Sequence, residues 1–182
     1  MQLVDTLATL KAYQPSHAED AQFQKDMIAF VEKYPEDFHC RTTLEGHLTA
    51  SAWIVNPART KYLLTHHAKL NRWLQLGGHI EEDVDLQAAA LREALEESGL
   101  SSVRLVSDAV FDLDIHTIPA RKQDPEHLHL DVRFLIEADD QEAWQVSEES
   151  HALAWVSAAQ IREEVAELSM LRMLGKTPDS PT

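Results

Sequence analysis

GHIEEDVDLQAAALREALEESGL, residues Gly78 to Leu100, sets a glycine beside a short helix whose far end carries three glutamates. Gly77 precedes it, and the chain has only five glycines, so three of them bracket this one segment. Asp85 suits the N-cap, the run 86–98 is rich in strong helix formers, and Gly99 falls where a left-handed C-cap is common. At about 100° per residue, Glu93, Glu96 and Glu97 gather within roughly 100° of the helix circumference. Ala88, Leu91 and Leu95 fall opposite them and form the expected buried stripe.

Glutamates in the last turns oppose the helix dipole, at on the order of 0.3–1 kcal/mol each. Glu93 and Glu97 also make a like-charged i,i+4 pair, unfavourable by a few tenths more, which Arg92 offsets only in part. A bound Mg²⁺ or Mn²⁺ would remove the penalty, because hard cations prefer oxygen ligands and retain waters and substrate phosphates. A solvated acidic face is the competing reading. The glycines and the arginine favour the cation.

The segment resembles the Nudix box of the Nudix (MutT-like) hydrolases. Gly78, Arg92, Glu93, Glu96, Glu97, Gly99 and Leu100 match that pattern at its spacings, and Ala94 is a weak match at the hydrophobic position. Val84 stands where the family has its first glutamate. The resemblance implies an α/β fold, an α/β/α sandwich around a mixed β-sheet, with Mg²⁺ (or Mn²⁺) held by Glu93, Glu96, Glu97 and the Gly78 carbonyl. It also implies a hydrolase that cleaves a diphosphate linkage in a nucleoside diphosphate joined to another group. Val84 can neither bind metal nor pair with Arg92, so Arg92 is expected to take Glu82, Asp83 or Asp85 instead. The same departure motivates a second reading, a nucleotide-binding sensor without turnover. A Nudix isomerase would need a cysteine beside the box, and Cys40 is far from it in sequence.

The rest of the chain limits the partners. Its 182 residues carry 31 acids against 16 bases, a formal net charge of −15, which argues against nucleic acid and against an anionic membrane surface. A small phosphorylated substrate screened by metal fits that balance better. A single cysteine excludes an internal disulfide framework and fits a reducing cytoplasm. Residues 1–45 read as a helical arm, with helices over 2–13 and 17–34 and a capping box at Ser16 and Glu19. Residues 46–175 form the expected hydrolase domain and 176–182 a polar tail. The arm could support a homodimer.

Strands are expected over 47–55, 61–66, 102–116, 126–137 and 152–156, with helical turns to about 174. Asp112, Asp114 and His116 alternate along one strand, and His127, His129, Asp131 and Arg133 along another, so each set shares a face. That face reads as the polar side of a half-buried sheet, as substrate lining through His129 and Asp131, or as a separate metal site. A polar loop, with Lys69, Arg72 and Trp73, leads into Gly77, Gly78 and His79. Lys69 and Arg72 are candidates for phosphate contact, Trp73 for base stacking, and the glycines and His79 complete the substrate-binding set. Glu148 or Glu149, before the last strand, is a candidate metal ligand or base by analogy with the family.

Overall fold

The computed structural model describes residues 2–68, 70–121, 125–147, 150–165 and 167–180. Lys69, Glu148 and Glu149 therefore lie outside the described residues. The central strand, β1 (Gly46–Val55), is buried along its whole length. It pairs in parallel with β7 (His127–Ala138) and antiparallel with β2 (Lys61–His67) and β4 (Leu76–His79). Strands β3 (Arg72–Leu74), β5 (Val103–Leu105), β6 (Asp112–Ile118) and β8 (Ser150–Ser157) complete an eight-stranded mixed sheet.

Helices cover both faces. Leu48, Ala50, Ala52 and Ile54 of β1 and Leu130, Val132 and Phe134 of β7 point to one side. There they meet α3 (Leu86–Ser98) and residues of α1 (Leu3–Ala12) and α2 (Ala18–Lys33), including Leu10, Met27 and Phe30. Trp53, Val55 and Leu135 point to the other side and pack on α4 (Ala158–Glu164) and α5 (Leu168–Lys176) through Ile161, Met170 and Met173. Burying each of the larger aliphatic and phenyl side chains contributes about 1.5–3 kcal/mol. The result is the expected α/β sandwich with an N-terminal helical extension.

The helix of the box forms over the expected residues. Asp85 accepts a hydrogen bond from the Ala88 amide at 2.7 Å, and Gly99 closes it with φ 64°. The expected apolar stripe is displaced, however. Leu86, Ala89, Ala90 and Ala94 are buried, whereas Leu95 is exposed and Ala88 only half-buried. Alanines opposite Ala50 and Ala52 let the helix lie close to the sheet, which larger side chains at those positions would prevent.

Other expectations change in the same local way. The strand expected over 102–116 divides into β5 and β6, because residues 107–110 leave the ladder and turn at Ser107, whose hydroxyl accepts from the Ala109 amide, while the Val106 and Phe111 amides still donate to β7. The polar loop at 66–73 is a hairpin between β2 and β3, with Asn71 at φ 53°. Ser16 makes no capping box. His17 is the N-cap of α2, and the Ser16 hydroxyl donates to Asp20 instead. Lys176, expected to begin a tail, is the last residue of α5, and Thr177 accepts from the Trp53 indole at 2.9 Å.

Candidate active site

Gly77 and Gly78 in β4 lie against the C-terminal half of α3; Gly77 requires glycine, and any side chain at Gly78 would displace the Glu93 carboxylate. A Cβ on Gly78 would stand 2.8 Å from the Glu93 carboxylate, and one on Gly77 2.2 Å from the Ser51 hydroxyl. Gly77 also has φ 150°, which side chains disfavour. With no Cβ in the way, the carboxylates reach the backbone, and the buried Glu97 accepts from the Gly77 amide at 3.1 Å. Glu93 is half-buried and Glu96 exposed.

Arg92 ties this corner together. Its guanidinium donates to Asp83 at 3.0 Å, to Glu93 at 3.0 Å, to Glu96 at 2.8 Å and to the His79 carbonyl at 2.8 Å. Asp83 thus supplies the carboxylate that Val84 lacks, and Val84 turns outward with 74% of its surface exposed. Burial alone would raise the Asp83 carboxyl, but hydrogen bonds from Arg92 and the Glu81 amide hold it below its ordinary range. An oxygen-only set of Glu93, Glu96, Glu97 and the Gly78 carbonyl is the donor chemistry that Mg²⁺ or Mn²⁺ prefers.

Across β4, on the face opposite Gly78, five histidines converge. His47 and His129 are direct neighbours in the β1–β7 pairing, with ring centroids 4.8 Å apart. His127 lies 5.2 Å from His47, His79 5.1 Å from His47, and His116 5.6 Å from His129. Burial, with smaller contributions from His79, His127 and Arg41, pushes His47 down to about 4, and His129 falls below the ordinary range for the same leading reason. His79 was expected beside the substrate. Its carbonyl serves Arg92 and its ring belongs to this cluster.

Farther along the same face the polar residues are buried, not half-exposed as expected. Asp131 is 2% exposed and accepts from Thr49, Ser51, Arg133 and Gln75. A carboxylate so fully bonded anchors the sheet. Arg133 also donates to Asp112 and Asp114 at 3.1 Å each. Arg172 and Lys176 of α5 reach Asp112 as well, and Lys176 continues to Asp20 of α2 at 2.6 Å. Burial opposes ionisation of Asp114, but hydrogen bonds from His116 and Arg172 and the charge of Arg133 hold its carboxyl well below the usual range.

A cavity of about 140 Å³ opens beside this network, lined by Arg72, Leu74, Gln75, His116, Ile118 and Glu167 among others. Arg72 is exposed there and ion-paired with Glu167. Trp73 is half-buried, 5.2 Å from the His66 ring, and packs against the C-terminal core. Gln75, which the sequence reading passed over, links the cavity to Asp131 and precedes the glycines by two residues. His47 was also passed over. Cys40 is half-buried, and burial with Asp37 beside it pushes its thiol up, away from nucleophilic use.

The family model described as the NUDIX domain matches residues 46–174. Among solved structures, a NUDIX-family hydrolase from Clostridium perfringens is similar at 26% identity and a TM-score of 0.50, covering 71% of this chain and 95% of that one. A C. elegans Ap4A hydrolase binary complex is similar at 19% identity and a TM-score of 0.54, covering 71% and 93%. The NUDIX domain of Shewanella oneidensis NrtR, complexed with ADP ribose, gives 17% identity and a TM-score of 0.52, covering 80% and 94%. No curated protein matches the chain by sequence.

Proposed function

The chain belongs to the NUDIX domain family and has the fold of the Nudix hydrolases, and from that premise we propose that it is a metal-dependent pyrophosphohydrolase. Its substrate would be a nucleoside diphosphate joined to a second group, and its products a nucleoside monophosphate and a phosphorylated remainder. The observation that carries this reading is the Gly77–Gly78 backbone set directly against Glu93 and Glu97, with Arg92 bonded to Asp83, Glu93 and Glu96.

Glu93, Glu96, Glu97 and the Gly78 carbonyl would hold the Mg²⁺ or Mn²⁺. When bound, the metal supplies neutralisation of the diphosphate charge and a water of lowered pKa. Arg92 holds Glu93 and Glu96 and, through the His79 carbonyl, fixes α3 to β4. Asp83 holds Arg92 from the other side. Water attacks phosphorus in line with the leaving phosphate, and a box carboxylate, or Glu148 or Glu149, accepts its proton. Arg72, exposed on the cavity, would exchange its Glu167 ion pair for a phosphate, and the Gln75 segment joins that cavity to the glycines.

The Asp83–Arg92 contact favours a working enzyme over the sensor reading, because the one departure from the box has its replacement one residue away. A cytoplasmic setting fits the single thiol. Release of monophosphate from a panel of diphosphate-linked nucleosides, with and without Mg²⁺ or Mn²⁺, tests the proposal. ADP ribose and Ap4A, for which two of the similar structures are named, head the panel. Metal-dependent turnover that Glu97→Gln abolishes is the expected result. Tight, metal-independent nucleotide binding without product would establish the sensor instead.

A further inference from the structure

We propose that His47, His127 and His129 form a transition-metal site, suited to Zn²⁺ and separate from the box carboxylates. One ligand atom from each lies within 4.8 Å of the other two. A tetrahedral Zn²⁺ with bonds of about 2.0–2.1 Å needs those nitrogens about 3.4 Å apart. Small rotations of the two half-buried side chains, His127 and His129, would close the difference while His127 keeps its Pro125 contact.

Two further observations point to a ligand. His47 is 2% exposed, and among the described residues neither of its ring nitrogens has a hydrogen-bond partner. A buried imidazole in that position is an incomplete arrangement, and a metal ion completes it. His127 places Nδ1 2.9 Å from the Pro125 carbonyl, a contact that puts the hydrogen on Nδ1 and leaves Nε2 as the lone-pair donor. Such an outer contact fixes the tautomer and orientation of metal-binding histidines.

The site is distinct from the carboxylates in place and in chemistry. His79 and Gly78 are adjacent in β4, so their substituents point to opposite faces of the strand. The carboxylates offer hard oxygen, suited to Mg²⁺, whereas three neutral imidazoles suit Zn²⁺, Co²⁺, Ni²⁺ or Cu²⁺. Three protein ligands leave a fourth position for water or another donor. The inference does not depend on the hydrolase reading, and either can fail alone.

Co²⁺ titration of the full chain in excess Mg²⁺, followed by visible absorption, tests it. The expected result is an intense four-coordinate spectrum that saturates at about one equivalent and disappears on adding Zn²⁺. His127→Ala is expected to weaken Co²⁺ binding by about a hundredfold or more, since loss of an outer partner alone costs about 10–100-fold. His129→Ala repeats the test at a second half-buried ligand, and Glu97→Gln should leave the spectrum intact. A wild-type titration showing only weak six-coordinate absorption overturns the proposal. So does a spectrum unchanged by His127→Ala, or one lost equally in Glu97→Gln.

Discussion

Two clusters of charge lie in the same sheet-and-helix frame, and they are balanced differently. Around β6, the cations Arg133, Arg172 and Lys176 meet Asp20, Asp112, Asp114 and Asp131, nearly one for one and nearly all buried. At the end of α3, one arginine is shared by Asp83, Glu93 and Glu96, with Glu97 beside them on the Gly77 amide. The first cluster nearly neutralises itself and pins α2 and α5 to the sheet. The second is left acidic at an open corner. Equal chemistry in the two places would hide the distinction; the ratio of base to acid exposes it.

The largest change should come from unbalancing the first cluster. Arg133→Met leaves the buried Asp112 and Asp131 and the half-buried Asp114 without their shared cation, and urea denaturation should show a loss of about 3–5 kcal/mol. A loss below about 1 kcal/mol would mean that water already reaches the network. Glu97→Gln should do the reverse in the second cluster. Turnover should fall by about 10²–10³-fold, the scale of a lost proton acceptor, while the metal-free protein keeps its melting temperature. A matching drop in stability would make Glu97 structural.

Acid should weaken both clusters next. The Asp114, Asp20 and Asp83 carboxyls are all held below their ordinary values, so each contributes stability that is fully present above about pH 4. That stability is lost as pH falls through the lowered folded values, and denaturation midpoints measured from pH 6 to pH 2 should fall below about pH 4. Arg133→Met should flatten that slope, because Asp114 loses the charge that depresses it. The smallest effect should be Val84→Glu. Asp83 already occupies Arg92, and a side chain so exposed should change stability by no more than about 0.5 kcal/mol and turnover by less than about tenfold. A large gain in turnover would show that Asp83 is a poor replacement.

What the sequence made legible was local. The Asp85 cap, the Gly99 cap, the extent of α3 and the Arg92–Asp83 contact all lie within a few turns, where propensity and spacing decide the outcome. The buried stripe of α3 was not legible, because leucine outranks alanine in hydrophobicity while the sheet opposite demanded small residues. The role of His47 was hidden for a stronger reason. It meets His129 only through the parallel register of β1 and β7, and nothing near either residue announces that pairing. The burial of Asp131 was hidden likewise, since Thr49 and Ser51, which bond it, reach it through the same register.

That register also governs how the chain must assemble. The entire box, from Gly78 to Leu100, lies inside the loop that β1 and β7 close. Both faces of β4 depend on β1 being in place, and β1 gains its long parallel neighbour only after residue 138 has been made. Closing so long a loop is entropically slow compared with winding a helix. The glutamate helix can therefore form early, while the corner that gives it a purpose is among the last parts to take shape.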